Sequence, residues 1–393
     1  MNKNSHLFNT YDRANIRFEK GEGAWLFSEN KTPFLDFASG IAVNSLGHSH
    51  PELVKTLKSQ SEKLWHVSNL YQSTQQDIFA NHLTRSTFAD KVFFTNSGTE
   101  SVECAIKTAR RYHYTKGKTN KFRIITFEGA FHGRTLATIS AGGKSQYLEG
   151  FGPKIEGFNQ AKFCDLQSLK NQISDDTAAI LIEPIQGENG AQKAPPEFLQ
   201  ELRKICDDID ALLIFDEVQT GYGRTGKLFA YEWTNITPDI MAIAKGMGGG
   251  FPLGACLATE KASSCMNKGS HGSTYGGNIL AMVLGEKVLD IIKSDGFLEN
   301  VMNTSKILFN GLIAIKNRFP NIFLDVRGQG LLIGLETVFP PAILAEKFRD
   351  ECLLTAPASN NVVRILPPLI VTTKEINDGL DRIERAAFKL SRQ

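Results

Sequence analysis

The sequence contains no apolar run that could cross a bilayer. Its longest runs, such as AAILI and ALLIF, are a fraction of the roughly 20 residues a spanning helix needs. Cysteine is sparse and scattered: Cys104, Cys164, Cys206, Cys256, Cys265 and Cys352 form no CxxC pair, which excludes a disulfide framework and a Cys-based metal knuckle. Neither charge sign dominates. The 44 basic and 42 acidic residues leave a net charge of +2, with no block of like charges, so neither nucleic acid nor a membrane surface is an expected partner. Repeats and low-complexity tracts are also missing. The opening MNKNSHLFNT has no apolar core of a secretory leader. We expect a cytoplasmic protein.

What remains is an ordinary globular balance, 41% hydrophobic and 22% charged over 393 residues, enough for two or three packed units. GAWLFS and PFLDFA read as short strands in residues 1–48, expected to pack with a C-terminal unit. From 49 to 281 strands and helices alternate. KVFFTNSG, RIITFEG, AAILIEPI, ALLIFDEV and DIMAIAKG are strand-like; PELVKTLKSQSEKLW, TESVECAIKTARRYH and PEFLQELRKICDD carry helical spacing. That order predicts an α/β unit with a mostly parallel sheet covered on both faces. Beyond 282, longer helices frame DVRGQGLLIGLE and NVVRILPPL, as expected of a smaller α+β unit. Ligands of open α/β sheets sit beyond the carboxyl ends of the strands, so the residues there carry the functional reading.

LLIFDEVQTGYGRTGKL resembles two nucleotide motifs and satisfies neither. Gly221 through Lys227 fits GxxxxGK, but Leu228 stands where a P-loop needs Ser or Thr. Gly221, Gly223 and Gly226 fit GxGxxG, but DEVQT separates them from the strand and Lys245 lies where an acidic residue is needed. Asp216 follows four apolar residues and should be buried, where a carboxylate needs a cation or strong donor. It could cap a loop or face a protonated ring nitrogen, with Gln219 three residues on. Lys245 ends another apolar strand. A lysine there either snorkels to solvent or, desolvated, becomes a reactive amine of lowered pKa. The glycines after it, Gly246, Gly248, Gly249 and Gly250, would let backbone pass close and turn tightly.

In TNSGTESVE, Ser97 and Glu100 have capping-box spacing, and Gly98 and Thr99 open the helix, where N–H groups can bind a phosphate. FEGAFHGRT supplies Phe131 to cover a flat ring and Arg134 as a fork for a carboxylate; His132 could be a base, a ring neighbour or a packed polar group. His48 and His50 in GHSHP lack further ligands, so no metal is expected. Phosphate, flat ring, basic ring nitrogen and an aldehyde for a lysine together describe pyridoxal 5'-phosphate.

With these residues assembled, the sequence resembles the class III pyridoxal-phosphate-dependent aminotransferases, and within them the acetylornithine aminotransferases. LDFASGIAVNSLGHSHP, FFTNSGTESVE, FEGAFHGRT, EPIQGE, LLIFDEVQTGYGRTG, AIAKGMGGGFPLGA, HGSTYGGN and VRGQGLLIG carry the likeness along nearly the whole chain. The resemblance implies an aspartate-aminotransferase-type fold and a homodimer with sites at the subunit interface. It implies that Lys245 bonds the cofactor aldehyde and moves protons, and that Asp216 holds the ring nitrogen protonated. Gly98 and Thr99 would bind the phosphate, with Thr274 of HGSTYGGN reaching it from the partner subunit. Phe131, Glu217, Val218 and Gln219 would contact the cofactor. Arg134 and Ser273 would contact substrate. Glu188 would pair with Arg364 and release it to bind glutamate, although Asn189 replaces the usual small residue after that glutamate. The implied reaction moves the side-chain amine of N2-acetylornithine to 2-oxoglutarate, giving glutamate. Ornithine, succinylornithine, succinyldiaminopimelate and 4-aminobutyrate are rival amine donors, and a non-catalytic cofactor-binding protein is a rival of another class.

Overall fold

The computed structural model describes residues 6–392; Gln393 and the first five residues of the polar N-terminal stretch lie outside them. Its centre is a seven-stranded sheet in the spatial order Lys91–Thr95, Gly254–Ala258, Ile240–Ile243, Leu212–Asp216, Thr177–Ile182, Arg123–Phe127, Phe158–Ala161. The strands from Ile240–Ile243 to Phe158–Ala161 pair in parallel. Their side chains alternate between two cores. Ile124, Leu181, Leu212, Ile214 and Ile240 face Val102, Ala105 and Ala109 of the helix Gly98–Thr115. Ile125, Ile180, Leu213, Phe215 and Met241 face the other way, with Phe198 and Leu202 of the helix Pro196–Asp208. Continuous apolar strands are what this two-sided burial requires.

The strand Gly254–Ala258 is not assigned from the sequence. It runs antiparallel to both neighbours. The link from Ile243 is too short for the crossover that a parallel partner demands, so the chain turns back at once. The carboxyl ends of six strands and the start of this seventh therefore share one edge of the sheet.

A two-stranded ribbon, Ile185–Gln186 with Gln192–Lys193, and two four-stranded sheets complete the fold. Phe18–Glu22, Trp25–Ser28 and Pro33–Asp36 form an antiparallel meander, joined in parallel by Leu353–Leu354. Phe323–Gln329, Leu332–Thr337, Val362–Ile365 and Ala356–Pro357 form the other. The helix Ile279–Ile292 runs across residue 282 and packs on Pro51–Ser61 and Thr74–Arg85. One apolar core continues from Leu213 to Ile333, Val363 and Ile383. Among the described residues no helix is long and apolar enough to cross a membrane.

Both decoy motifs have structural jobs. The residues Gly221–Gly226 are buried turns with no helix after the strand. Arg224 is buried in them; its Nη1 donates to the carbonyls of Leu331 (3.1 Å) and Pro367 (2.5 Å), and Leu331 N donates back to its carbonyl. His48 Nε2 lies 2.7 Å from Asp36 Oδ2, and Asp36 Oδ1 accepts from the N–H groups of Ala38 and Ser39. This anchors a left-handed turn, Ser39–Ala42, in which Ile41 has φ 65°.

Candidate active site

A cavity of about 900 Å³ opens at the shared strand edge. Its floor is polar and its approach is built from loops. Asp216 ends its strand there, buried. Its Oδ1 accepts from Val218 N (3.0 Å), and its Oδ2 lies 2.8 Å from Nδ1 of the buried His132. Among the described residues the other ring nitrogen of His132 is buried without a hydrogen-bond partner. Burial works against charge on His132, but the bond to Asp216, its charge and that of Glu183 outweigh it and raise the imidazole pKa. Glu183, at the end of the strand Thr177–Ile182, accepts from Phe131 N (3.0 Å). Burial and then the charge of Asp216 push its carboxyl up to about 7, against the pull of His132 and Lys245.

Lys245 follows the strand Ile240–Ile243 and opens a single turn, Lys245–Gly248, with its own φ at 46°. Gly249 and Gly250, at φ 56° and 112°, bring the chain back along the cavity wall. Such angles cost little at glycine and more at lysine, so the strain of the turn falls on Lys245. Among the described residues its ammonium makes no hydrogen bond or ion pair. Burial lowers its pKa to about 8; the charge of Arg364 adds to this, and Asp216, Glu183 and Glu188 oppose it.

At the end of Lys91–Thr95, Ser97 Oγ accepts from Glu100 N (3.3 Å) while Glu100 reaches back to Asn96 N (2.6 Å). The cap leaves the N–H groups of Gly98 and Thr99 without intrahelical acceptors at the cavity wall. A Cβ on Gly98 would lie 2.6 Å from Val218 Cγ1, so only glycine lets the helix start this close to the strand end. Gly133, at φ 135°, brings the next loop against Thr99, whose Oγ1 accepts from Arg134 N (2.9 Å).

The 187–190 turn and the C-terminal sheet close the far side. Arg364 is buried on the strand Val362–Ile365; its Nη2 donates to Glu188 Oε2 (3.0 Å) and Pro357 O (3.0 Å), and its Nη1 to Gln219 Oε1 (3.4 Å). Burial lowers its pKa against the opposing charge of Glu188. Gly334 pairs with Arg364 across the sheet, and a Cβ there would meet Gly190 O at 2.6 Å. That close approach sets Arg364 beside Glu188. Asn189 turns away from the pair, donating to Gln186 Oε1 and accepting from Asn360 Nδ2.

The structure thus brings Lys245, Asp216, Gly98, Thr99, Phe131, Val218, Gln219, Arg134, Glu188 and Arg364 to one cavity. Glu217 does not line this cavity. Its side chain leaves the cavity, because consecutive residues past a strand end point to opposite sides; it accepts from Thr220 Oγ1, Ala230 N and Tyr231 N, and burial pushes it up to about 7. Ser273 and Thr274 do not line the cavity of this chain. Ser273 Oγ accepts from Gly276 N and lies 3.3 Å from Asn96 Nδ2. The sequence reading missed Tyr147, Ile41 and Pro357 as cavity residues; none lies in a run with a chemical signature, and Pro357 ends a strand of only two residues.

The family model for class-III aminotransferases matches residues 8–387. The acetylornithine aminotransferase of Agrobacterium fabrum is 60% identical, covering 98% of this chain and 96% of that protein. The solved structure of N-acetylornithine aminotransferase from Stenotrophomonas maltophilia is 35% identical with a TM-score of 0.86, covering 98% of each chain. An ornithine aminotransferase structure from Toxoplasma gondii, described with pyridoxal phosphate at partial occupancy in its active site, is 27% identical with a TM-score of 0.93, covering 98% of this chain and 93% of that one.

Proposed function

The chain belongs to the class III aminotransferases, which are pyridoxal-phosphate-dependent transaminases, and we propose that it acts as an acetylornithine aminotransferase of arginine biosynthesis in the cytoplasm. It moves the side-chain amine of N2-acetyl-L-ornithine to 2-oxoglutarate, producing N-acetyl-L-glutamate 5-semialdehyde and L-glutamate. Full-length likeness to curated acetylornithine aminotransferases supports this choice of amine donor. The observation that carries the catalytic reading is Lys245, free of any hydrogen bond among the described residues, in a cavity floored by Asp216.

The donor set of the cavity fits pyridoxal phosphate: free N–H groups at a helix start, an aromatic wall, a buried carboxylate and an unpaired lysine. When bound, the cofactor supplies an aldehyde that takes up amines and a ring that withdraws electrons from the carbon beside them. Lys245 would hold the cofactor through its amine and would carry a proton at the substrate carbon. Its lowered pKa gives it a neutral fraction near pH 8. Asp216, oriented by Val218 N and His132, would keep a proton at the ring nitrogen. Gly98 and Thr99 bind phosphate through the helix start. Phe131, Val218 and Gln219, which line the cavity, would hold the ring in place. Arg134 takes the substrate carboxylate. Glu188 neutralises Arg364 while the amine donor is bound and yields it when a dicarboxylate enters.

We also propose a homodimer. Trp65, Leu70, Tyr71 and Tyr275 are apolar and exposed, and Asn69 Nδ2 donates to the carbonyls of Ser273 and Gly276. The patch is therefore continuous with the loop that carries Ser273 and Thr274, as expected if this loop serves a neighbouring site. Turnover of acetylornithine, ornithine and 4-aminobutyrate with 2-oxoglutarate tests the substrate assignment. Acetylornithine should give the highest kcat/KM, and a tenfold preference for either rival overturns it.

A further inference from the structure

We infer that Tyr147 is a positioning residue for Arg134, its ring setting the orientation of the guanidinium and hence how tightly carboxylate-bearing substrates are held. The inference rests on the proposed role of Arg134. Arg134 is exposed at the cavity, and its guanidinium makes no hydrogen bond or ion pair among the described residues. Only its backbone N–H is held, by Thr99 Oγ1. What meets the guanidinium is aromatic: its Cζ lies 3.7 Å from the centroid of Tyr147 and 5.6 Å from that of Phe131. The two rings meet edge to face, with centroids 6.0 Å apart and planes at 89°. They form a corner around the cation.

Tyr147 sits on the short helix Ser145–Leu148, half-buried, and lines the cavity. Among the described residues its hydroxyl makes no hydrogen bond, so no polar contact accounts for a tyrosine here. Its ring serves a second cation: Lys144 Nζ lies 4.9 Å from the centroid and donates to Ser359 Oγ (2.9 Å). The negative face of one ring offsets the repulsion between two cations.

The choice of an aromatic holder matters chemically. A carboxylate beside Arg134 would occupy the N–H groups that substrate needs. Stacking holds the plane of the guanidinium and leaves its donors free for a bidentate carboxylate. A fork held in place before binding forfeits less freedom on binding.

The test uses cofactor-loaded enzyme carrying Tyr147→Leu, Tyr147→Phe, Arg134→Ala, or Arg134→Ala with Tyr147→Leu. The readouts are KM and kcat for acetylornithine and Ki for N-acetylnorvaline, which keeps the carboxylate and lacks the reacting amine. Tyr147→Leu should raise KM and Ki about tenfold and leave kcat within about threefold. Tyr147→Phe should match the wild type, and on the Arg134→Ala background Tyr147→Leu should add less than about twofold. Three results overturn the inference: a fall in kcat matching the rise in KM, Tyr147→Phe as damaging as Tyr147→Leu, or penalties that multiply in the double variant. Should Tyr147→Leu fail to fold, Tyr147→Met makes the same comparison. Failure of the substrate assignment shows in the wild type alone; the Tyr147 comparison then runs with whichever carboxylate-bearing amine donor the wild type uses and its unreactive analogue.

Discussion

The floor and the rim of the cavity solve the same problem, holding charge in place, by opposite means. On the floor, Asp216, Glu183 and Lys245 stand at the ends of neighbouring strands and the backbone sets their positions. Asp216 and Glu183 are buried and Lys245 is half-buried, and burial shifts the pKa values of Glu183 and Lys245 toward neutrality. On the rim, Arg134 is exposed and held by rings, while Arg364 comes from another sheet and is held by Glu188. A rigid, desolvated floor suits bond making. A rim built from separate loops suits exchange of two differently charged substrates. The comparison implies that floor substitutions act on kcat and rim substitutions on KM.

The sharpest way to expose that division is Lys245→Ala, expected to lower kcat by about 10⁴-fold or more in steady-state assays, with the fold unchanged by circular dichroism. Asp216→Asn should cost about 10³-fold in kcat, with KM for either substrate nearly constant. At the rim, Arg364→Leu should raise KM for 2-oxoglutarate about a hundredfold while single turnover of the amine donor stays within a few-fold. Equal loss in both halves would refute the switch between Glu188 and Arg364. Gly334→Val attacks the rim through packing. Its Cβ meets Gly190 O, so thermal unfolding should show a loss of about 1–3 kcal/mol, and KM for 2-oxoglutarate should rise before kcat falls.

The smallest effect is one of pH. In the cofactor-free chain Lys245 should gain reactivity toward pyridoxal phosphate with a midpoint near pH 8, and Glu183→Gln should move that midpoint lower by removing a charge that opposes the shift. The two groups act oppositely on stability. Lys245, with its pKa lowered to about 8, costs stability below pH 8, and the cost is relieved as pH rises toward 10.5. Glu183, raised to about 7, contributes stability that is whole below pH 4.5 and lost as pH rises through 7. Chemical denaturation of the Glu183→Gln variant across pH 5–9 separates them.

Two groups of the floor, Asp216 and Lys245, were legible in the sequence because a polar residue closing an apolar strand is a local pattern with a local cause; Glu183, which closes TAAILI, was not read this way. LLIFD and IMAIAK each announce one functional group. The helix start at Gly98 was legible for the same reason. The rim was not, because its geometry is long-range. Glu188 and Arg364 are joined only when Gly334 lets one sheet approach a distant turn, and only family resemblance linked them beforehand. Tyr147 lies in a four-residue helix without periodicity, so nothing local distinguishes it from a surface tyrosine. Glu217 follows Asp216 directly, yet its side chain turns to Thr220, Ala230 and Tyr231 because the chain alternates sides past the strand end. The strand Gly254–Ala258 was missed because GACLA gives no sign of direction.

Arg224 ties the loop that follows Asp216 to the carbonyls of Leu331 and Pro367 on the C-terminal side of the molecule. The joint is buried, with hydrogen bonds running in both directions. If the C-terminal sheet tilts to admit or release substrate, the tilt has Arg224 as its fulcrum. The lever arm on one side carries Arg364; on the other, the chain leads directly back to Asp216. Motion at the mouth would then be felt as torque at the floor, and a stiff fulcrum would keep the chemistry in register while the opening changes its shape.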